Sequence, residues 1–240
     1  MTVTWEELGW ERLAEGVGRC RLPGWDCTVG LVLGAGPVLM VDAGSSLAEG
    51  ARLRGQARRL AGRRVTDLAL THPHFDHVLG APAVAGADVY AAAGAEAVFA
   101  HGREEIRLDA VRNGLPAAEA AEAVAALAEP GRTVRGERTL DLGAGRRALL
   151  AAVGPGHTRH DLAVLVPGDP AVVFCGDLVE ESGEPQAGPD AVPSRWPATL
   201  DRLLSLGGED ARYVPGHGAV VDAAFVRRQR DALAARFGVS

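Results

Sequence analysis

Seven side chains that can bind a metal ion lie in four short motifs, and they constrain the fold more than any other feature. The first motif, Thr71-His-Pro-His-Phe-Asp-His77, contains His72, His74, Asp76 and His77. The others are Gly154-Pro-Gly-His157-Thr158, Phe174-Cys-Gly-Asp177 and Val214-Pro-Gly-His217-Gly218, and together the motifs hold five of the chain's seven histidines. Five imidazoles and two carboxylates are enough to hold two transition-metal ions, if the fold brings the motifs together.

The spacing inside the first motif predicts a loop rather than a helix. His72 and His74 are two residues apart, so they point the same way on an extended segment and diverge on a helix. Pro73 removes a backbone donor and disfavours a regular helix there. The apolar run 65–71 is typical of a buried strand, and 78–82 of a helix start. We therefore expect the motif on a loop at a strand end, with Asp76 and His77 facing a second ion.

The three downstream motifs also follow or end apolar runs, at 148–153, 171–175 and 211–214. Three further strand ends would thus deliver His157, Asp177 and His217, and the neighbouring Gly residues let the backbone turn tightly. Cys175 precedes Asp177 by two residues and is expected on the same strand face. It is a candidate extra ligand, although a small apolar core residue is the favoured interpretation.

These motifs, with an upstream Val41-Asp42-Ala-Gly44, resemble those of the metallo-β-lactamase fold superfamily over residues 42 to 218. The resemblance implies an α+β fold, a four-layer αββα sandwich with the metals at one edge of the two sheets. It also implies the ligand sets: His72, His74 and His157 for the first ion, Asp76, His77 and His217 for the second, and Asp177 bridging both. Asp42 would hydrogen-bond the ligand loop.

The sequence differs from several branches of this superfamily, and these differences narrow the expected function. The β-lactamases proper lack the bridging Asp, so Asp177 disfavours a β-lactam substrate. Flavo-diiron members have a Glu in the first motif, and β-CASP nucleases carry a large inserted domain. The motif set is similar to that of glyoxalase II and the lactonases, but the 23 residues after His217 are too few for the glutathione-binding helices of glyoxalase II. The segment 178–181 and Asp161 resemble metallo-β-lactamase-domain protein 1.

The length and composition favour a single domain over residues 1–240. The expected location of the protein is the reducing cytoplasm. The net charge is −6 without a basic cluster, so no nucleic-acid partner is expected. Three cysteines fit no disulfide framework, and no apolar run is long enough for a membrane span. The N-terminus does not resemble a signal peptide. Oligomeric state is left open.

The regions between the motifs predict the remaining elements. Residues 15–42 are typical of an antiparallel meander, and Ser45 or Ser46 can cap a helix to about Leu60. Residues 88–92 predict a strand. Residues 94–129 predict two helices separated at 113–116, and the family resemblance implies that this insertion lies over the active site. After a long acidic loop, 179–197, helices are expected at about 196–206 and 222–237.

Several side chains are candidates for contact with a small-molecule substrate. Residues of the insertion, His101, Arg103, Arg107 and Arg112, could reach it or form a solvated face. Trp196 could line the pocket or anchor its helix. His160 could line the site as an alternative proton donor to Asp76, or bond backbone.

The favoured function is a metal-dependent hydrolase with two divalent ions. Zinc is favoured, with iron or manganese as alternatives. A hydroxide shared by the ions would attack a small ester, thioester or lactone, while Asp76 orients it and passes a proton to the leaving group. The alternative is a phosphodiesterase or nuclease for a small nucleotide or RNA. A mononuclear iron persulfide dioxygenase and a non-catalytic metal-binding protein are less favoured, because the second ligand set is complete.

Overall fold

The structure is a computed structural model that describes residues 3–239. The described residues form strands β1 (Glu11–Ala14), β2 (Val17–Arg21), β3 (Thr28–Leu33), β4 (Val38–Val41), β5 (Asp67–Ala69), β6 (Asp88–Ala92), β7 (Arg132–Val134), β8 (Glu137–Gly143), β9 (Arg146–Ala151), β10 (Ala163–Val166), β11 (Val172–Glu180) and β12 (Arg212–His217). The helices are α1 (Leu47–Ala61), α2 (Phe75–Val78), α3 (Ala95–His101), α4 (Arg103–Arg112), α5 (Ala117–Ala126), α6 (Trp196–Gly207) and α7 (Ala223–Phe237).

The strands form two mixed sheets. The first has the order β1-β2-β3-β4-β5-β6-β7, antiparallel from β1 to β4 and parallel from β4 to β7. The second has the order β12-β11-β10-β9-β8, with only the β11–β12 pair parallel. The predicted antiparallel meander over 15–42 is therefore present as β2, β3 and β4.

Successive side chains of each strand pack into different apolar cores. One core lies between the two sheets, and one lies between each sheet and its helices, so the fold has four layers. Leu31 packs with helix residues such as Leu53, whereas its neighbour Val32 packs between the two sheets. In the second sheet, Phe174 faces the first sheet and Val173 faces α6 and α7. Successive strand residues point to opposite faces, so a sheet buried on both faces needs apolar residues at almost every position. The α+β fold and the αββα sandwich expected from the sequence are confirmed.

A bulge in β11 changes the direction of the side chains next to the third motif. The register against β12 shifts between Phe174 and Gly176, and Gly176 has φ +54°. Glycine adopts this left-handed conformation without the Cβ penalty of other residues. A Cβ at position 176 would also lie 2.7 Å from Thr71 Oγ1. The bulge therefore lets β11 pass close to the ligand loop and continue to Glu180, beyond the strand end expected at Cys175.

The two helices expected on either side of 113–116 are present as α4 and α5. The insertion also contains α3, which the sequence did not predict and which ends at Gly102, directly before α4. One helix prediction was wrong. The helix expected to start near Val78 is the short α2, which begins at Phe75, inside the first motif. His74 is its N-cap with an extended backbone, so Asp76 and His77 are helical, whereas His72 lies in the bend before the helix.

Other elements agree with the sequence. Ser46 caps α1 by accepting a hydrogen bond from Glu49 N, the capping arrangement expected of serine. Asp222 caps α7 in the same way through Phe225 N. Within residues 3–239, none of the helices has both the length and the apolar content that crossing a membrane requires.

A close contact between α1 and the segment after the ligand loop gives a test of the packing. A Cβ at Gly50 would collide with the Gly80 carbonyl oxygen, whereas a Cβ at Gly55, exposed on the same helix, meets no atom within 4 Å. We expect Gly50→Ala to lower the free energy of unfolding by about 1–3 kcal/mol through overpacking. Gly55→Ala should raise it by about 0.5–1 kcal/mol. Urea unfolding measures both, and equal effects would contradict this packing.

Candidate active site

The four motifs converge at one edge of the two sheets, around Asp177. Its Oδ2 atom lies 3.6 Å from His72 Nε2, 3.5 Å from His157 Nε2 and 3.3 Å from His217 Nε2. Its Oδ1 atom lies 3.1 Å from His77 Nε2. One buried carboxylate thus faces imidazoles from the ligand loop and from both other histidine motifs.

Asp76 and His74 complete the arrangement on opposite sides of Asp177. Asp76 Oδ2 lies 3.3 Å from His217 Nε2 and 3.6 Å from His77 Nε2. His74 Nδ1 lies 3.0 Å from His157 Nε2. Donor atoms within 4.8 Å of one another form one group of His72, His74, His157 and Asp177, and another of His77, Asp177 and His217.

Each of the five histidines has one ring nitrogen bound to an oxygen outside the cluster. The pairs are His72 Nδ1 with Thr71 Oγ1 (3.0 Å), His74 Nε2 with Asp190 Oδ2 (3.1 Å), His77 Nδ1 with Asp42 Oδ2 (2.8 Å), His157 Nδ1 with the Gln186 carbonyl (3.0 Å) and His217 Nδ1 with the Trp25 carbonyl (2.8 Å). The acceptor fixes the ring orientation, and the tautomer of a neutral imidazole, so that the other nitrogen faces the cluster.

The donor set fits divalent metal ions. Among the described residues, His72 Nε2 and Asp177 Oδ1 are buried without a hydrogen-bond partner, which is costly unless a cation binds them. Burial lowers the pKa of His157 to about 4 and that of His72 well below its usual range. These two imidazoles are therefore neutral, the form in which histidine binds metals.

The other side of the cluster attracts positive charge. Burial alone would lower the pKa of His217, but the carboxylates of Asp177 and Asp76 outweigh it and raise that pKa to about 12. Burial would raise the pKa of Asp177, yet the facing imidazoles of His77, His72 and His217 hold it well below its usual range. The carboxylates need a positive charge between them, which a metal ion can supply in place of the imidazole protons.

A family model described as the Metallo-beta-lactamase superfamily matches residues 22–217, most of the chain. The chain belongs to the metallo-beta-lactamase superfamily. Within the matched residues lies the buried His/Asp cluster, which could hold divalent metal ions. The chain is also similar to a curated relative, the hydroxyacylglutathione hydrolase of Nitrosococcus oceani, with 27% identity over 156 residues. The match covers 65% of this chain and 49% of the relative, so the chain spans about half of that protein.

Solved structures of metallo-beta-lactamases share the fold. The enzyme FIM-1 of Pseudomonas aeruginosa, in its mono-zinc form, superimposes with a TM-score of 0.70 at 19% identity, covering 96% of each chain. A metallo-beta-lactamase from Pontibacter korlensis gives a TM-score of 0.69 at 21% identity, covering 93% of this chain and 97% of the other. At these identities the similarity supports the fold and carries no conclusion about substrate.

Asp42 ties the superfamily's ligand loop to the first sheet. It follows β4 with φ +61°, a conformation that Asp tolerates better than most residues. Its carboxylate accepts hydrogen bonds from Thr71 N (2.7 Å), Thr71 Oγ1 (2.8 Å) and His77 Nδ1. A single buried carboxylate therefore orients His77 directly and His72 through the Thr71 hydroxyl.

Cys175 does not share a face with Asp177, so that expectation was wrong. The bulge at Gly176 separates the two side chains, and Cys175 packs between the second sheet and α6 with Val173 and Trp196. Its thiol contacts the Val173 carbonyl at 3.3 Å and is 1% exposed. Cys175 is a core residue.

Each of the three candidate substrate contacts is bonded to another group of the protein. Trp196 is 0% exposed, donates its indole N–H to the Leu178 carbonyl and packs edge-on against His157 at 5.5 Å, so it anchors its helix. His160 is half-buried and bonds the Ala93 carbonyl. The Arg107 guanidinium forms two hydrogen bonds with Glu104 on the same helix. Contact of His160 or Arg107 with substrate remains a prediction.

Several groups at the site have no signal in the sequence. Asp190 and Gln186 belong to the loop after β11 and contact His74 and His157. Cys27, 1% exposed, places its Sγ atom 3.9 Å from His77 Nε2, in a group of potential donors with Asp76. The contact of the Gln186 backbone carbonyl cannot be predicted from sequence. Asp190, an acid in the Pro-rich loop that follows a ligand motif, could have been considered as a partner for a histidine.

An apolar groove opens beside His74, between the ligand loop, the helical insertion and the loop after β11. Its volume is about 680 Å³. It is lined by Pro73, His74, Phe75, Ala97, Val98, His101, Gly102, Glu105, Ile106, Asp109, Arg112, Gly188, Pro189 and Asp190. Two of the basic candidates from the sequence, His101 and Arg112, therefore reach this groove, whereas Arg103 and Arg107 are not among its lining residues.

The contact between Asp190 and His74 can be tested through metal affinity. Asp190→Ala removes the acceptor that orients the ring, so we expect the affinity for zinc to fall about 10–100-fold. Glu184→Ala is the matched control, because Glu184 lies exposed on the same loop. Competition with a chromophoric chelator measures both affinities. Unchanged affinity in Asp190→Ala would show that the contact does not orient a ligand.

Proposed function

We propose that this chain hydrolyses a small carboxylic ester, thioester or lactone with two divalent metal ions, zinc being favoured. His72, His74 and His157 would hold one ion, Asp76, His77 and His217 the other, and Asp177 would bridge them. The observation that carries the proposal is the orientation of the five histidines. Each is fixed by an oxygen on its outer nitrogen, so that five inner nitrogens and two carboxylates converge.

When bound, the two ions supply a hydroxide nucleophile at neutral pH and polarise the carbonyl group of the substrate. Asp177 fits the bridging role, because its two oxygens lie within 3.6 Å of inner nitrogens from both ligand sets. Asp76 would orient the nucleophile and transfer its proton to the leaving group. Burial would raise the pKa of Asp76, but His77 and His217 hold it lowered, so the carboxylate is ionised and able to accept that proton.

Two observations support a carbonyl substrate. The curated relative from Nitrosococcus oceani is a hydroxyacylglutathione hydrolase, a thioester hydrolase by its name. The groove beside His74 is lined mainly by apolar residues, which suits an acyl compound better than a polyanionic nucleotide or RNA. A cytoplasmic location and a partner limited to small molecules remain predictions.

Removing one ligand tests the metal mechanism. We expect His74→Ala and Asp177→Ala each to abolish hydrolysis, because each takes a donor from the convergent set. Both variants should remain folded, since the three apolar cores are untouched. Turnover by the metal-loaded variants and their circular dichroism spectra give the two readouts. Full activity in both folded variants would rule out the dinuclear mechanism.

A pair of substrates tests the reaction class. Metal-loaded protein should hydrolyse a small thioester or lactone and leave bis-p-nitrophenyl phosphate unchanged. A chelator should remove the activity, and added zinc should restore it. Turnover of the phosphodiester alone would contradict the proposal and favour a nucleotide or RNA substrate.

A further inference from the structure

We infer that the apolar groove beside His74 binds the apolar substituent of an uncharged or cationic ester or thioester, and that it discriminates against anionic substrates such as glutathione thioesters. This inference rests on the proposed hydrolase function. It adds a substrate class that neither the motifs nor the comparisons assign.

The position of the groove links it to the reaction. His74 is both a groove-lining residue and a member of the cluster, so a chain lying in the groove would present its carbonyl group at the donor atoms. A volume of about 680 Å³ is ample for a chain of several methylene groups. The walls are Val98 and Ala97 on α3, Ile106 on α4, and Pro189 opposite them. None of these can hydrogen-bond a polar substituent through its side chain.

The carboxylates at the groove outnumber its guanidinium. Three carboxylates line it, from Glu105, Asp109 and Asp190, against one guanidinium, from Arg112, and the imidazoles of His74 and His101. Asp109 is paired with Arg112 at 3.1 Å, and Asp190 faces His74. Glu105 is exposed and has no ion-pair partner within residues 3–239. An anionic substituent would therefore meet an uncompensated carboxylate, whereas a neutral or cationic one would not.

The first experiment varies acyl length on one uncharged thiol. Metal-loaded protein is given thioesters of N-acetylcysteamine from acetyl to octanoyl, and S-lactoylglutathione as the anionic comparison. We expect kcat/KM to rise about fourfold for each methylene that the groove buries. The glutathione thioester should be the poorest substrate. A flat dependence on chain length, or preference for the glutathione thioester, would overturn the inference.

Two matched pairs of variants locate the effect. Ala97→Trp fills the groove from an exposed helix position, and Ala118→Trp makes the same change at an exposed position away from it. Only Ala97→Trp should remove the preference for long chains. Glu105→Lys should raise kcat/KM for S-lactoylglutathione on the order of tenfold, while Glu104→Lys, on the neighbouring residue outside the groove, should leave it unchanged. Equal behaviour within either pair would also overturn the inference.

A binding measurement separates this inference from the proposed function. Uncharged alkyl amides from acetamide to octanamide are titrated into metal-loaded protein and into Ala97→Trp by calorimetry. Affinity that grows with chain length, and is lost in Ala97→Trp, supports the groove even if no thioester is turned over, in which case the proposed hydrolase function alone fails. Affinity independent of chain length contradicts the groove whatever the turnover.

Discussion

Burying two carboxylates and five imidazoles at one place is the constraint on which the rest of the structure depends. Buried charges are costly unless they are paired. Here the carboxylates of Asp177 and Asp76 face ring nitrogens, so the cluster is satisfied by protons on His77 and His217 or by cations. Protein groups already occupy the outer nitrogens of all five rings. The fold therefore orients the ligands through protein groups that lie outside the cluster.

The elements that the sequence predicted are those controlled by local pattern. Continuous apolar runs identified the strands that end at the motifs. A helix cap was expected at Ser45 or Ser46 and a helix start at about Asp222, and the side chains of Ser46 and Asp222 satisfy backbone N–H groups within one turn. Pro73 correctly indicated that His72 and His74 lie outside a helix, in the bend and N-cap that precede α2. The family motifs added the four-layer arrangement, which periodicity alone could not supply, since a strand buried on both faces looks the same in many folds.

What the sequence could not give depends on contacts between distant segments. The two-residue alternation of a regular strand predicted that Cys175 and Asp177 share a face, but the bulge at Gly176 interrupts this alternation. Such a bulge arises because β11 must pass close to Thr71, a tertiary requirement with no local pattern. Asp190 likewise has the local signature of a solvated loop acid, and only its contact with His74 distinguishes it.

The loop after β11 contacts both the donor cluster and the apolar groove. The Gln186 carbonyl and the Asp190 carboxylate orient His157 and His74, while Pro189 and Asp190 form one wall of the groove. The same loop is anchored at both ends, by Val192 N on the Gly156 carbonyl and by an arginine of α7 on the Pro185 carbonyl. A substituent that displaces this wall also disturbs two of the histidines. Substrate selection and the geometry of the donor cluster are therefore coupled through a few loop residues. An apolar chain that fits the groove without moving this loop would be favoured, because it leaves both histidines in place.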